Sequence, residues 1–350
     1  MKTLFVALRH DYGDPARGDS FEFESFLPAL KRVNSEVVYF AFDALLGELD
    51  YFAMNRRLRA VVDDVQPDLM FCILFENQLD RKEVQAVTQT TPTKTFNWFC
   101  DDHWRYRDFS RYWAGCFDTV GTTSRDAYEW YQRDGFDNVI KTQWAVDESR
   151  LLPRPPLVSE YLSFVGQRRP ERSSYIDFLN RARIPVRAFG SGWPAGRLPL
   201  ALMQEVSRSS AANLNFTEST AVHGRGRVRQ VKARPFELGA AGRPVLTERN
   251  DELDEYYAPG EEVLTFSTRR ELLTHIRHLA SDRVLAETLG QRVFERTRLT
   301  HTYTHRLLEI LGRLNLETSV HDPGSCRVSV ATAYDIQPVE MGTLRTDAQR

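Results

Sequence analysis

The amino-acid sequence predicts an α/β protein made of two Rossmann-like, doubly wound domains that face each other across a cleft. Short apolar runs alternate with longer amphipathic ones, the pattern of βαβ units around parallel sheets. The alternation stops at a proline-bearing stretch, Asp147 to Glu160, and then restarts. The chain has 350 residues, 42% of them hydrophobic and 27% charged. That is enough for two cores of the usual domain size, roughly 100–200 residues each.

The elements follow in order. Thr3 to Leu8 reads as a first buried strand. It is too short for a secretory h-region and is followed at once by Arg9-His10-Asp11. A polar loop with Gly13, Asp14 and Gly18 comes next, an ordinary strand–helix turn or an acceptor or phosphate loop. Asp19 is placed as a helix cap with Glu22 three residues on, a capping-box spacing. Phe23, Phe26, Leu27 and Leu30 continue one helical face. Glu36 to Phe42 is the second strand and Leu49 to Val62 a helix. Leu69 to Leu74, Thr93 to Phe99, Thr119 to Thr122 and Val139 to Gln143 read as further strands with helices between.

In Asp147 to Glu160, Pro153, Pro155 and Pro156 stiffen an interdomain linker and restrict where a hinge can bend. Beyond it, Tyr161 to Val165 is a strand ending at Gly166, with a helix near Glu171 to Arg181 and a strand at Val186 to Phe189. Ala211 to Asn215, Pro244 to Thr247 and Glu262 to Phe266 are shorter strands, and Arg269 to Leu316 is helical almost throughout. The expected division is residues 1–150 and residues 151–300. A helix over 301–316 crosses back to the first domain. A tail over 317–350 is either loosely ordered or contributes a strand at Val328 to Val330.

Composition narrows the function. Lys plus Arg is 46 and Asp plus Glu 48, a net charge of -2, which argues against a diffuse nucleic-acid binder. The longest apolar runs, such as Leu69 to Phe75, fall far short of the ~20 residues that span a bilayer. Cys72, Cys100, Cys116 and Cys326 make no C-x-x-C pair, which suits a reducing cytoplasm.

The residues with the clearest chemistry lie from Val222 to Glu248. Arg225, Arg227, Arg229, Lys232, Arg234 and Arg243 crowd this stretch near His223, with Glu237 as the acid before Glu248. Arg234-Pro235 reads as a helix start, where N–H groups and the dipole favour an anion. A carboxylate one turn in accepts hydrogen bonds from sugar hydroxyls. The combination suits a nucleotide sugar, with ribose on Glu237 and diphosphate on the basic groups; the other reading is a solvated Arg-rich loop. Asp101-Asp102-His103, at a strand end, offers a divalent-metal site, a general base or substrate contact, or a plain turn with a packed His; substrate contact or base is preferred to metal. Trp98 and Phe99 read as core, and Trp104 and Tyr106 stay open between core and ligand stacking. Trp193, in a loop after a second-domain strand, is a base-stacking candidate. His301 and His305 stand at a zinc-compatible spacing but lack a third ligand.

The stretch from Lys232 to Glu248, KARPFELGAAGRPVLTE, resembles a block of the CgeB-like glycosyltransferases, GT-B enzymes related to glycosyltransferase family 4. The resemblance continues through Asn250 to Leu253, Tyr257 to Glu262 and Glu271 to Leu273, and ends near His301 to Arg306. Upstream, Leu162 to Gly166 resembles the strand opening the nucleotide-binding domain, and Trp98 to Asp102 a tryptophan-to-double-aspartate segment. The resemblance implies a GT-B fold and transfer of a sugar from a nucleotide-diphosphate donor to a glycan or small-molecule acceptor, with retention and without a metal or other cofactor. Glu237 falls on the second glutamate of the family's E-x7-E motif; the first falls on Arg229, a departure that bears on the donor contact and the stereochemistry. Donor binding is expected from Gly166, Arg168, Arg172, Trp193, Lys232, Arg234 and Glu237, and catalysis from Asp102 and His103. Arg168, Arg169 and Arg172 stand where relatives place an Arg and a Lys on the diphosphate, and guanidinium forks suit phosphate oxygens. The competing functions are a nucleotide-sugar epimerase and a non-catalytic nucleotide-sugar-binding protein.

Overall fold

The computed structural model describes residues 1–153, 160–223 and 226–339. Pro155, Pro156, Arg225 and the end of the tail therefore lie outside the described residues, as do the side chains of His223, Arg227 and Arg229. Two compact units result: Met1–Gln143 with the chain from Tyr303 onward, and Trp144–Thr302.

The first unit is built on β1 (Lys2–Ala7), β2 (Glu36–Ala41), β3 (Leu69–Cys72), β4 (Lys94–Phe99), β5 (Thr119–Thr122) and β6 (Val139–Lys141). The second holds β7 (Leu162–Val165), β8 (Val186–Phe189), β9 (Ala212–Asn215), the hairpin β10 (Glu218–His223) and β11 (Gly226–Arg229), β12 (Val245–Glu248) and β13 (Leu264–Phe266). Two tail strands, β14 (Arg327–Ala331) and β15 (Ile336–Pro338), return to the first sheet. That sheet runs β15-β14-β2-β1-β3-β4-β5-β6, and the second β13-β12-β9-β7-β8.

In the first sheet, Thr3 pairs with Val37 on one side and with Leu69 on the other, both in parallel. The strand order therefore reverses at β1, and the carboxyl ends beside it are the expected ligand side. The strands are apolar along their length because helices cover both faces. Leu4, Val6, Phe40 and Met70 are buried in one core cluster. On the opposite face Phe5 stacks near Tyr39 and Phe71, and Phe26 meets Phe71 and the edge of Trp98. In the second sheet, Leu162 pairs with Val186 and with Ala212, so the reversal falls at β7.

Local chemistry explains the ends of the elements. The first helix, Phe21–Val33, is capped by Ser20, whose hydroxyl accepts from the Phe23 amide at 3.0 Å. The cap is thus one residue later than the Asp19 spacing predicts, because Asp19 is engaged by Arg9 at 3.1 Å and bridges His10. Arg269 to Leu316 resolves into helices Arg269–Ser281, Arg283–Thr300 and Tyr303–Arg313, the first opened by a capping box of Thr268 and Glu271.

The units divide at Gln143/Trp144, earlier than residue 150. Residues 144–153 are tied to the second unit: Val146 N–H donates to the His301 carbonyl at 3.0 Å, Gln204 donates to the Arg150 carbonyl, and Arg208 to that of Pro153. This part of the linker is built into the second unit. At the other crossing, Tyr303 packs on Phe26 at 4.6 Å and Arg306 Nε donates to the Gln143 carbonyl at 2.9 Å, which joins Tyr303–Arg313 to the first unit. The tail, loose by one of its two sequence readings, adds β14 parallel to β2, with Val328 opposite Val37 and an Arg327–Glu36 ion pair of 2.9 Å.

Candidate functional site

At the carboxyl end of β7, Gly166 donates its N–H to the Phe189 carbonyl at 2.8 Å, and Arg168 N–H donates to Ser191 at 2.8 Å. These bonds zip the loops after β7 and β8 together. A Cβ on Gly190 (φ +127°) would lie 2.3 Å from the Gly166 carbonyl oxygen, so only glycine allows this approach. Trp193 closes the arrangement by donating Nε1–H to the same carbonyl at 2.9 Å. Its ring meets Phe164 edge-on and carries the Arg168 guanidinium 5.4 Å from its centroid. One face and one edge are thus taken, which makes Trp193 a brace for Arg168 where the sequence suggested a base-stacking surface.

Cations mass beside these loops. Arg172, in the first turn of helix Pro170–Arg181, donates to the Gln167 carbonyl at 3.0 Å. Its guanidinium is pushed down to about 10, chiefly by burial and then by Arg169, with Arg234 adding and Glu248 and Glu171 opposing. Arg169 and Arg234 therefore both stand close enough to act on Arg172, with Glu171 and Glu248 among them.

Glu237 is held on both oxygens. Arg234 reaches Oε2 at 2.7 Å and Arg150 reaches Oε1 at 3.3 Å. Each oxygen keeps a further lone pair for a hydroxyl donor. Arg150 comes from the short turn Glu148–Arg150 inside the stretch read as linker, so nothing local in the sequence pointed to it. The helix carrying Glu237, Arg234–Ala240, spans seven residues. It opens on Arg234-Pro235, as the sequence predicts. Lys232 is exposed beside it.

Gln230 was also missed. It is buried, and its main-chain N–H donates to the Thr217 carbonyl at 3.2 Å. Among the described residues neither Nε2 nor Oε1 of its side chain has a partner. Thr217 in turn donates its N–H and hydroxyl to Glu248 at 3.0 and 3.2 Å. A buried amide with no partner is costly and rare in a folded chain. The one signal in the sequence was an uncharged amide at the end of an arginine-rich run.

The first unit treats its candidates differently. Asp102 is buried and accepts from the Tyr131 hydroxyl at 3.1 Å. Burial pushes its carboxyl up to about 7, against hydrogen bonds from Ser110, Thr122 and Tyr131. His103 is buried too, with Nδ1 3.9 Å from Asp101. Both side chains pack inward, so neither presents itself to a ligand as the catalytic assignment required. Trp98 and Phe99 are core, and so is Tyr106, whose hydroxyl donates to Asp134 at 2.7 Å; Trp104 is exposed. Gly13 takes a left-handed turn at φ +72°, and Asp14 caps the next turn by accepting from Ala16 at 3.0 Å. His301 Nε2 lies 2.8 Å from the Tyr256 carbonyl, and its ring packs on Phe236 and Tyr257.

Residues 168–312 match the model of a family described as glycosyl transferase-like. No curated protein sequence matches the chain. Among solved structures, it is similar to Anabaena Alr3699/HepE in complex with UDP and glucose, at 12% identity and TM-score 0.61, covering 89% of this chain and 99% of that one. It is similar to sucrose-phosphate synthase from Thermosynechococcus elongatus at 13% identity and TM-score 0.58, covering 90% and 98%. It also resembles TarM at 11% identity and TM-score 0.54, covering 73% of this chain and 57% of that longer one. The fold is GT-B, with two Rossmann-like units, as the resemblance implied.

Proposed function

We propose, for a chain that its domain match and fold make a glycosyltransferase, that it moves a sugar from a nucleoside-diphosphate donor and belongs to the CgeB-like branch. The observation that carries the donor assignment is the grouping of Arg169, Arg172 and Arg234 by the loop after β7, with Arg234 and Arg150 on the two oxygens of Glu237. Departure of a nucleoside diphosphate builds negative charge on phosphate and oxocarbenium character on the sugar. Preorganised guanidiniums in a partly buried site stabilise that charge without reorganising. In this reading Arg168, Arg169, Arg172 and Arg234 take the diphosphate, and Glu237 takes the ribose hydroxyls through its remaining lone pairs. Gln230 offers its orphaned amide to the donor's sugar or base. A neighbour solved with UDP and glucose supports a donor of this chemical class.

Transfer is read as retaining from the family resemblance, and as metal-independent because guanidinium groups can balance the charge of the leaving group. A cytoplasmic setting suits four cysteines of which none is in a disulfide. Among the described residues no helix is long and apolar enough to cross a membrane.

A thermal-shift panel of UDP, UDP-glucose, ADP-glucose and GDP-mannose tests the reading. Ligand at about 100 times its Kd stabilises the native state by about 2.7 kcal/mol, so a true donor stands out. Failure of every nucleotide sugar to shift the melting temperature would overturn it. Donor turnover that persists in excess chelator supports metal independence, and turnover abolished by chelator and restored by magnesium or manganese refutes it.

A further inference from the structure

The second unit holds a cavity of about 580 Å³ at the starts of its strands. Leu162 begins β7, Ala212 begins β9 and Pro185 precedes β8, and all three line it. The arginine-bearing loops leave the opposite ends of the same sheet. Helices Arg269–Ser281 and Arg283–Thr300 form the facing wall through Ile276, Leu279 and Ala286. The main-chain groups at the strand starts pair with one another. Leu162 N–H donates to the Pro185 carbonyl and Ala211 N–H to the Tyr161 carbonyl, both at 2.9 Å. The walls are therefore aliphatic, and among the described residues the lining holds no aromatic ring. The size is that of a small-molecule pocket, roughly 300–1,000 Å³. A sugar finds few partners for its hydroxyls on such walls, and a nucleobase finds no ring to stack on. An alkyl chain needs no partner and gains by leaving water.

Charge is confined to the exposed members of the lining. These include Arg183, Arg283 and Glu160, two guanidiniums against one carboxylate. Arg183 stands where a helix ordinarily ends on glycine. After helix Pro170–Arg181, Ala182 N–H donates to the Phe178 carbonyl at 3.1 Å and Ile184 N–H to the Leu179 carbonyl at 3.0 Å. Between them Arg183 takes the left-handed turn at φ +60°. Glycine is the usual residue at such a turn because a side chain strains it. The Arg183 guanidinium has no ion pair or side-chain hydrogen bond among the described residues. A charged group that neither relaxes its own backbone nor pairs within the chain, at the edge of an aliphatic cavity, is placed to meet an anion carried on an apolar body.

We propose that this cavity binds a single-chain amphiphile with an anionic head, its alkyl chain between the strand starts and the two helices and its head on Arg183. Carboxylate and phosphate heads share this chemistry. The site is separate from the donor arrangement at the other ends of the strands, so it stands whichever nucleotide sugar the enzyme uses.

The test is isothermal titration of the full chain with dodecanoate, dodecyl phosphate and dodecyltrimethylammonium, each below its micelle-forming concentration. At least one of the two anions should bind with one molecule per chain, and the tighter of them identifies the head group. The cationic amphiphile should bind about tenfold more weakly or worse. Arg183→Gly removes the guanidinium and leaves a residue suited to the left-handed turn, so the fold should survive. Its affinity for the anion should fall about tenfold or more. Ala280→Trp, at an exposed helix position in the lining, should obstruct the chain and weaken the anion by a similar factor. The proposal is overturned if neither anion binds, if the cationic amphiphile binds as tightly, or if both folded variants bind like the parent. Uptake of many amphiphiles per chain, indifferent to both substitutions, is ordinary surfactant binding and overturns it as well.

Discussion

The carboxyl ends of the two sheets carry opposite chemistry on the same architecture. In the second unit the rim after β7, β9 and β12 collects arginines 168, 169, 172 and 234, with Glu237 and Glu248 held among them. In the first unit the rim after β1, β2 and β4 carries exposed rings and carboxylates, and its arginines are turned onto neighbours. Both rims rest on parallel strands whose order reverses at β1 or β7, so the backbone alone does not distinguish them. The side chains after each strand do. One surface is rich in guanidinium groups, the other in exposed aromatic rings.

Truncating a buried ring is the harshest way to separate rim from core. Trp98 is fully buried and meets Phe26 edge-on at 4.9 Å. Trp98→Ala should cost about 3–5 kcal/mol of stability by chemical denaturation. A cost below about 1 kcal/mol would show that this face is loosely packed.

A pH titration comes next. Asp102 has its carboxyl raised from 3.8 to about 7 by burial, so the folded state holds a proton that the unfolded chain gives up. The stabilisation is complete below the ordinary carboxylate range and is lost as pH rises toward about 7. A tenfold difference in proton affinity between the folded and unfolded chain is worth about 1.36 kcal/mol, so the whole effect is at most about 4 kcal/mol. Asp102→Asn should flatten the loss of stability between pH 4 and pH 7 that denaturation of the parent shows. Glu22→Gln should remove a further share, because its carboxyl is raised in the same direction. Parent stability that climbs with pH over this range would contradict both assignments.

A smaller effect falls on the basic rim. Glu237→Ala should weaken nucleotide-sugar binding roughly ten- to a hundredfold, the worth of hydrogen bonds to a charged acceptor at about 1.5–3 kcal/mol. It also leaves Arg150 and Arg234 without their carboxylate. Unchanged nucleotide affinity in the folded variant would remove Glu237 from the donor site. The smallest effect is expected at Trp104, where Trp104→Ala should change stability by no more than about 0.5 kcal/mol. A large loss there would mean that the exposed ring serves packing, and the contrast between the two rims would blur.

The strand–helix alternation was legible because it is local. A parallel strand covered on both faces is buried along its length, and β1 through β5 and β7 are buried at all but their first position or throughout. Glycines 166 and 190 and the arginines that follow β7 could likewise be placed, since they are neighbours in the chain. Burial of particular charges was not legible. Asp101 and Asp102 are adjacent, yet one stands partly exposed at a helix start and the other packs under Tyr131, which lies 29 residues away. Asp19 and Ser20 competed for one cap, and Arg9 decided between them by drawing Asp19 aside.

By itself, then, the sequence determined what short-range physics can: two rounds of βαβ elements, the break between them, and an arginine-rich stretch around a lone carboxylate. The tertiary structure decided which residues from distant parts of the chain meet. It set Arg150 against Glu237, 87 residues apart, and buried the Gln230 amide without a partner among the described residues. It carried Arg327–Ala331 back across the chain to lie beside β2, because a strand without helical periodicity finds its hydrogen bonds only on a partner edge. Pairing, burial and desolvation depend on distances that residue order does not encode locally, and those distances packed Asp102 under Tyr131 and set Glu237 between two arginines.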